Sequence, residues 1–245
     1  MGCEVVLREG AWFIADSHYA RYNTALYDFL SKLSPDDLPP QIFLMGDIFD
    51  LLFGYARNSI QPNRKMVDLL QQIARQCEVI YLEGNHDFGL EPLFGGVIRV
   101  VPRSGQPLMA RFAEHSVALH HGDTLQGVGY EIYTALIRNT LVDRLLNMLD
   151  TATDGAVIGW LERYNRKKRP CYKIDDFEKL MRKRLDILKE RYDFDIWIEG
   201  HFHQNVRFDY EHLSYFNLPA FACANTYTVI RLEGDSVEFE ERRMT

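Results

Sequence analysis

Ile42-Phe-Leu-Met-Gly-Asp-Ile-Phe-Asp50 is the stretch that decides the fold, because an apolar run passes directly into a glycine and two carboxylates. Four apolar residues bounded by a turn signal indicate a buried strand. In α/β sheets the loops at the carboxyl ends of the strands carry the binding groups. The stretch therefore predicts a buried strand whose following loop places Asp47 and Asp50 at one edge of a sheet.

Four other apolar segments end in the same way, each with Asp, Asn or His immediately after the strand. They lead into Asp16-Ser-His18, Gly84-Asn-His-Asp87, His121-Gly-Asp123 and Gly200-His-Phe-His203. Any one of these motifs is weak evidence, but five in succession are not expected of a purely structural chain. The repeated glycine lets the chain turn sharply and brings ligands close without a Cβ in the way. We expect all five loops to converge on one rim.

Strand-like and helix-like segments alternate through the first half, which predicts a sheet with parallel strands. From about residue 130 to 191 the pattern becomes helical, with an apolar stripe from Ile132 to Leu149, and the end of the chain returns to β-structure. We predict an α/β fold in which a two-layered β core is flanked by helices. One domain would span residues 1–245 and carry a helical insertion at 126–190.

The composition, 47% hydrophobic and 26% charged, is that of a globular protein. No apolar stretch approaches the roughly 18 residues of a membrane span. The net charge of −7 argues against general nucleic-acid binding. The charge is uneven, because residues 163–191 carry 12 Lys and Arg against five Asp and Glu. A solvated helix face is the ordinary explanation, and a basic surface for an anionic substrate or lipid headgroups is the alternative.

The four cysteines, at positions 3, 77, 171 and 223, show no C-x-x-C spacing. The first ten residues contain no signal peptide that we can recognise. We therefore expect reduced thiols in a cytoplasmic protein. Cys77 is expected in the core, and Cys171 is expected to have no partner.

Carboxylates and imidazoles suit borderline divalent cations, and the lack of cysteine ligands argues against a structural zinc site. A shared carboxylate can bridge two cations roughly 3.5–4 Å apart, the arrangement used for in-line attack on phosphorus. Such ions lower the pKa of a bound water and stabilise charge on phosphoryl oxygens. We expect two divalent ions, with Mn²⁺ as the first choice and Zn²⁺ or Fe²⁺ as alternatives.

The motifs D-x-H, G-D-x-x-D, G-N-H-D, H-G-D and G-H-x-H, spanning residues 16 to 203, resemble the calcineurin-like metallophosphoesterase superfamily. The resemblance implies a four-layer α-β-β-α sandwich. It places one metal on Asp16, His18, Asp47 and His203, and the other on Asp47, Asn85, His121 and His201. It also implies that His86 is not a ligand but contacts the scissile phosphate and protonates the leaving group. Asp50 would fix the orientation of that ring.

The loops 46–50, 84–88 and 121–125, followed by the insertion, resemble the UDP-2,3-diacylglucosamine hydrolases. Those enzymes cut the pyrophosphate of a lipid A precursor into UMP and the diacylglucosamine 1-phosphate. The resemblance implies that the insertion holds the acyl chains and that basic residues contact the head group. The candidates are Arg166, Lys167, Lys168, Arg169 and Lys173. Many members of that branch carry arginine at the position of His86.

The basic, amphipathic insertion also predicts peripheral attachment to the inner face of the cytoplasmic membrane. Two other functions stay open: a soluble phosphodiesterase or nucleotide pyrophosphatase without an acyl groove, and a non-catalytic scaffold. The intact ligand set argues against the scaffold. Among the remaining polar residues, we expect His115 and His212 at the surface and His120 on the other face of its strand. Asp87 and Asp123 would stabilise loops.

Overall fold

The computed structural model describes residues 5–167, 171–234 and 236–244. The strands are β1 Val5–Val6, β2 Trp12–Ile14, β3 Gln41–Leu44, β4 Leu52–Phe53, β5 Glu78–Leu82, β6 Asp87–Phe88, β7 Arg99–Val101, β8 Leu108–Phe112, β9 His115–His120, β10 Ile196–Glu199, β11 Val206–Tyr210, β12 Leu213–Asn217, β13 Thr226–Glu233 and β14 Ser236–Arg243. The α-helices are α1 Ala25–Leu30, α2 Arg57–Ile73, α3 Glu91–Phe94, α4 Val128–Ile137, α5 Thr140–Ala152, α6 Ala156–Asn165, α7 Phe177–Lys189 and α8 Phe221–Ala224. Short 3-10 turns lie at Pro35–Asp37 and Arg103–Gly105.

Two six-stranded sheets form the centre of the molecule. The first has the order β1-β8-β9-β10-β12-β11, and the second has the order β14-β13-β2-β3-β5-β7. Strands β2, β3, β5 and β7 pair in parallel, as do β9, β10 and β12. The prediction of a sheet with parallel strands is therefore confirmed.

Alternate residues of the central strands supply two different cores, as the period of two in a β-strand requires. Phe43 of β3 packs between the sheets with Ile198 of β10, whereas Leu44 faces outward to α2. On the other side, Met181 and Leu185 of α7 pack on the outer face of the first sheet. The order of layers is thus helices, sheet, sheet, helix, and the predicted α-β-β-α sandwich is confirmed.

Helices α4, α5 and α6, here called the outer helices, stand outside these four layers. The apolar stripe from Ile132 to Leu149 is divided between two helices, because the side chain of Asn139 caps α5 by accepting from the amides of Leu141 and Val142. Helix α7, which falls within the predicted insertion at 126–190, instead covers the first sheet. Among the described residues, no helix is long and apolar enough to cross a bilayer.

Two expectations are wrong: that all four cysteines are reduced thiols, and that Cys171 has no partner. Cys171 and Cys223 form a disulfide with Cα atoms 5.7 Å apart and a sequence separation of 52. The pairing has no signature in local spacing, because the fold brings the two residues together. Cys77 is half-buried and packs against the core, where burial and then the charge of Glu78 raise the pKa of its thiol to about 11. Cys3 lies outside the described residues.

Candidate metal centre

The five loops converge on one rim, and their polar side chains form three overlapping groups. Within each group, one potential ligand atom per residue lies within 4.8 Å of the others. The groups are Asp16, His18 and His203; Asp47, His121 and His201; and His18, Asp47 and His86. Asn85 joins the second group, because its Oδ1 is 3.2 Å from Nε2 of His121. All seven ligands that the sequence predicted are therefore gathered at the rim, with His86 beside them.

Glycines at the strand ends make room for these side chains. A Cβ on Gly84 would lie 2.2 Å from Oδ1 of Asp47 and 2.4 Å from its backbone nitrogen. Gly46 has φ +86°, and a Cβ there would lie 2.3 Å from Nδ1 of His121. A Cβ at either position would force the neighbouring groups to shift, so both positions strongly favour glycine.

Five of the gathered residues adopt left-handed backbone conformations. Their φ values are 51°, 46°, 51°, 65° and 58° for Asp16, His18, Asp47, His201 and His203, respectively. Non-glycine residues seldom adopt positive φ, and such residues cluster at functional sites. The turns after β2, β3 and β10 thus point these ligand side chains into the rim at the expense of backbone strain.

The orientation of His121 brings potential metal-binding atoms of three residues close together. Its Nδ1 is 3.0 Å from the carbonyl oxygen of Met45, which can only accept, so Nδ1 carries the hydrogen. Nε2 then faces Oδ1 of Asn85 at 3.2 Å and Oδ2 of Asp47 at 3.5 Å. Burial disfavours the charged imidazole, but the Asp47 carboxylate outweighs it and raises the pKa of His121 to about 10. These donor atoms fit a metal cation. In its absence, the proton on Nε2 of His121 takes the same position.

A second set of donors surrounds Asp16, which is fully buried. Nε2 of His203 lies 3.1 Å from its Oδ1 and 3.5 Å from Nε2 of His18. The backbone amide of His201 donates to its Oδ2 at 2.9 Å. Burial would raise the pKa of Asp16, but the charge on His203, the hydrogen bond with His203 and the charge on His121 together outweigh it, and the pKa is lowered. Two imidazoles and a carboxylate so placed form a second set that fits a divalent ion.

Asp87 organises the loops beneath the rim and is not among the gathered ligand atoms. Its Oδ1 accepts from the amides of Asp47 at 3.0 Å and Gly84 at 2.9 Å. Its Oδ2 accepts from the amide of Phe49 at 3.0 Å and the hydroxyl of Tyr81 at 2.6 Å. Burial and the charge of Asp47 raise its pKa to about 7, while these four donors stabilise the anion. The contacts are those of a residue that stabilises loops.

His86 is oriented by the main chain of Asp50 and not by its carboxylate. Nδ1 of His86 is 2.8 Å from the Asp50 carbonyl oxygen, whereas Oδ1 of the carboxylate is 3.8 Å away. The carboxylate accepts from the hydroxyl of Tyr22 at 2.6 Å and lies 3.7 Å from Nδ1 of His18. Since a carbonyl only accepts, Nδ1 carries a hydrogen in this contact.

The basic residues predicted to bind the substrate lie in different surroundings. The guanidinium of Arg166 stacks over the ring of Tyr22 at 5.3 Å, and Lys167 is exposed in the turn that follows α6. Lys173 donates to the carbonyl oxygens of Gln204 at 2.6 Å and His203 at 3.3 Å, so its ammonium holds a ligand loop. Lys168 and Arg169 lie outside the described residues.

Sequence reasoning missed two arginines that join α4 to the ligand loops. Arg138 donates to the carbonyl of Gly84 at 2.6 Å, and Arg103 donates to Asp123 at 3.0 Å and to Glu131 of α4 at 2.7 Å. Isolated arginines carry no motif, so only the fold identifies them.

Of the histidines set aside, His120 is buried and stacks on Trp197, on the face of β9 opposite His121, as expected. His212 is exposed, and His115 is half-buried.

Fold and site together define a metal-dependent phosphoesterase. The sequence profile described as calcineurin-like phosphoesterase matches residues 11–205, and the chain belongs to this family. A UDP-2,3-diacylglucosamine hydrolase of Coxiella burnetii (strain RSA 331 / Henzerling II) is 26% identical over 203 residues, covering 78% of this chain and 79% of that protein. The family and this relative favour a hydrolase over the non-catalytic scaffold.

Solved structures of the same fold are more distant. A novel archaeal phosphodiesterase has a TM-score of 0.48 and 10% identity, covering 95% of this chain and 98% of that chain. The phosphoesterase Yfce from E. coli has a TM-score of 0.42 and 15% identity, covering 96% of this chain and 99% of that chain. Likeness at this level does not inform on the substrate.

Proposed function

We propose that this protein hydrolyses the pyrophosphate of UDP-2,3-diacylglucosamine to UMP and 2,3-diacylglucosamine 1-phosphate, a step of lipid A biosynthesis. The observation that carries this proposal is the set of apolar outer helices, which stand directly beside a complete two-metal ligand set. A soluble substrate would not require such a surface. The name of the Coxiella relative supports the same substrate.

The proposed ligands divide as the two donor sets suggest. Asp16, His18, Asp47 and His203 would hold one divalent ion, and Asp47, Asn85, His121 and His201 would hold the other, with Mn²⁺ as the first choice. When bound, the pair activates a water and offsets the negative charge on the phosphoryl oxygens. Asp47 is central to the site, because its carboxylate atoms belong to two of the three donor groups.

His86 is proposed to contact the scissile phosphate through Nε2. A water oxygen forms a bond to phosphorus as the bond to the leaving oxygen breaks, and the proton of the water passes to solvent. In the protonated ring, Nε2 donates its hydrogen to the departing oxygen while Nδ1 keeps its bond to the Asp50 carbonyl. The ring is held in place for this transfer by the 2.8 Å contact at Nδ1.

An apolar groove of about 740 Å³ runs between α4 and α7 and provides a site for an acyl chain. Its apolar lining includes Leu125, Val128 and Ile132, and Thr124, three residues after the proposed ligand His121, also lines it. Ligand pockets of this size are mostly apolar with a few polar groups, and His120 and Arg191 supply polar groups here. We propose that one acyl chain of the substrate enters this groove.

The outer helices also expose a surface that suits a lipid bilayer. Its exposed large side chains are Val128, Ile132, Tyr133, Leu136, Leu141, Leu145, Leu146, Met148, Leu149, Trp160 and Tyr164. An exposed apolar patch of this extent marks an interaction site. Arg166 and Lys167 follow directly, and each basic residue near an anionic surface adds about 1 kcal/mol of binding. We propose that these helices attach the protein peripherally to the inner face of the cytoplasmic membrane.

Incubation of the purified protein with Mn²⁺ and UDP-2,3-diacylglucosamine in detergent micelles tests the proposal. We expect release of UMP, dependence on added metal, and no product with Asp47→Ala. Parallel sedimentation with anionic and neutral vesicles should show binding to the anionic ones, weakened by salt because the charges are screened. A protein that holds two metal ions and cleaves simple phosphodiesters but releases no UMP would contradict the substrate assignment.

A soluble phosphodiester is the second candidate substrate, and His86 is the observation that favours it. A phosphate leaving group has a second pKa near 6 and gains less from the proton of His86 than an alkoxide does. A histidine with Nε2 directed at the substrate is therefore more useful for a phosphodiester. Detergent-independent turnover of nucleotide diesters, at rates above that of the lipid substrate, would support this alternative.

A further inference from the structure

Asn165, the last residue of α6, reaches from the outer helices into the site. Its side-chain nitrogen donates to the Asp50 carbonyl at 2.9 Å and lies 3.2 Å from Nδ1 of His86. The same carbonyl accepts from Nδ1 of His86 at 2.8 Å. A carbonyl oxygen has two lone pairs, so it can accept from both groups at once. Asn165 thus holds the Asp50 carbonyl in place, and this carbonyl in turn orients the His86 ring.

The helix places Asn165 there by packing one face on the chain that follows Asp50. Ile158 and Leu161 pack on Leu51 and Ala56, and Asn165 lies four residues beyond Leu161 on the same face. The amide of Ile158 donates to the carboxylate of Asp150 at 2.9 Å, which ties the start of α6 to α5. The packing that docks the helix therefore also sets the position of the amide.

The carboxylate of Asp50 is supported by Arg166, the residue that follows Asn165. Arg166 stacks over Tyr22, whose hydroxyl donates to the Asp50 carboxylate at 2.6 Å. Both the main chain and the side chain of Asp50 are therefore in contact with groups supported by the end of α6. Displacement of this helix end would release the Asp50 carbonyl and, with it, the ring of His86.

We propose that Asn165 is a positioning residue that holds His86 in the orientation for proton donation, so that the outer helices complete the catalytic site. This inference rests on the proposed role of His86 and adds to it a group from outside the sandwich. Asn165 touches neither the proposed ligands nor the reacting phosphorus. It acts through the shared carbonyl, and a substrate that orders the end of α6 would thereby order His86.

The test uses two aryl diesters of one nucleotide, with either phenol or the more acidic 4-nitrophenol as the leaving group. Misplacing a reacting group by up to 1 Å lowers the rate by as much as about 100-fold. We expect Asn165→Ala to lower kcat roughly 10- to 100-fold for the phenyl ester and to change it little for the 4-nitrophenyl ester, which needs no proton. Metal content should equal that of the wild type. Adding Asn165→Ala to His86→Ala should cause no further loss, because both act on one step.

The matched control is Asn147→Ala, which removes another contact between the outer helices and the sandwich. Asn147 accepts from the amide of Arg57 at 3.1 Å and is not part of the metal centre. If Asn147→Ala reproduces the leaving-group dependence, general undocking explains the effect and the inference fails. If His86→Ala shows the dependence and Asn165→Ala does not, the inference fails while His86 keeps its role. If His86→Ala itself shows no dependence, the proposed role of His86 fails first.

Discussion

Replacing Gly84 by alanine tests whether the close approach of two loops creates the metal site. The new Cβ would lie 2.2 Å from Oδ1 of Asp47, well inside van der Waals contact. Oδ1 also accepts the backbone amide of His86 at 2.8 Å, and the amide of Gly84 donates to Asp87 at 2.9 Å. The substitution therefore pushes on the central carboxylate and on the hydrogen bonds that hold both loops.

The cost can be worked from the kind of contact. Forcing one extra carbon into a close-packed site costs about 1–3 kcal/mol. The backbone of Gly84 does not have positive φ, so steric overlap is the only term. For a chain of 245 residues, each kcal/mol lowers Tm by roughly 2–4 °C. We expect Gly84→Ala to melt about 2–12 °C below the wild type and to lose bound metal, because Asp47 moves.

The assay combines thermal unfolding with metal analysis of the purified protein. Gly129→Ala is the matched control, because a Cβ there has no atom within 4 Å and the residue lies inside α4. Alanine is favoured over glycine by about 0.5–1 kcal/mol in the middle of a helix, and Gly129 lies in the first turn, so this variant should melt no lower than the wild type and keep its metal. A Gly84→Ala protein with two metal equivalents and wild-type Tm would refute the reasoning.

Three further outcomes are expected. Asp47→Ala should lose most bound metal and nearly all turnover, as measured by metal analysis and phosphodiester hydrolysis; full metal content would end its assignment as the shared ligand. Neutralising the basic residues at positions 166–169 together should raise KM for a lipid substrate far more than for a soluble diester, and equal effects would indicate general instability. Cys171→Ser should lose up to about 4 kcal/mol of stability relative to the oxidised protein, from the 52-residue separation of the cysteines, and the difference should vanish in reductant. A stability gap that persists in reductant would show that the serine, and not the lost crosslink, causes the change.

The sequence predicted those parts of the fold that depend on local pattern. Strand β3, Gln41–Leu44, forms where the apolar run that starts at Ile42 predicts a buried strand, and all four of its residues are buried. Strand β11, Val206–Tyr210, was missed because it is a half-exposed edge strand with alternating charges. The convergence of five loops was predictable because strand polarity places all their ends on one rim.

The contacts of the outer helices were beyond sequence reasoning. Nothing near Asn165 distinguishes it from a surface asparagine, and its proximity to His86 depends on how α6 packs. The same holds for Arg138 and for the disulfide of Cys171 with Cys223, whose partners are distant along the chain. A sequence motif identifies residues of one loop, whereas the residues of these pairs come together only in the tertiary structure.

The left-handed backbone of five proposed ligands has a cost in stability. Each non-glycine residue in this conformation is held against its own preference, and strained positions of this kind cost of order 1–3 kcal/mol each in unfavourable cases. Glycine adopts positive φ without this cost, and asparagine and aspartate tolerate it better than most residues do. At Asp16, His18 and Asp47, a side chain with potential metal-binding atoms is combined with a strained backbone conformation. The proposed metal chemistry is therefore carried at the expense of stability.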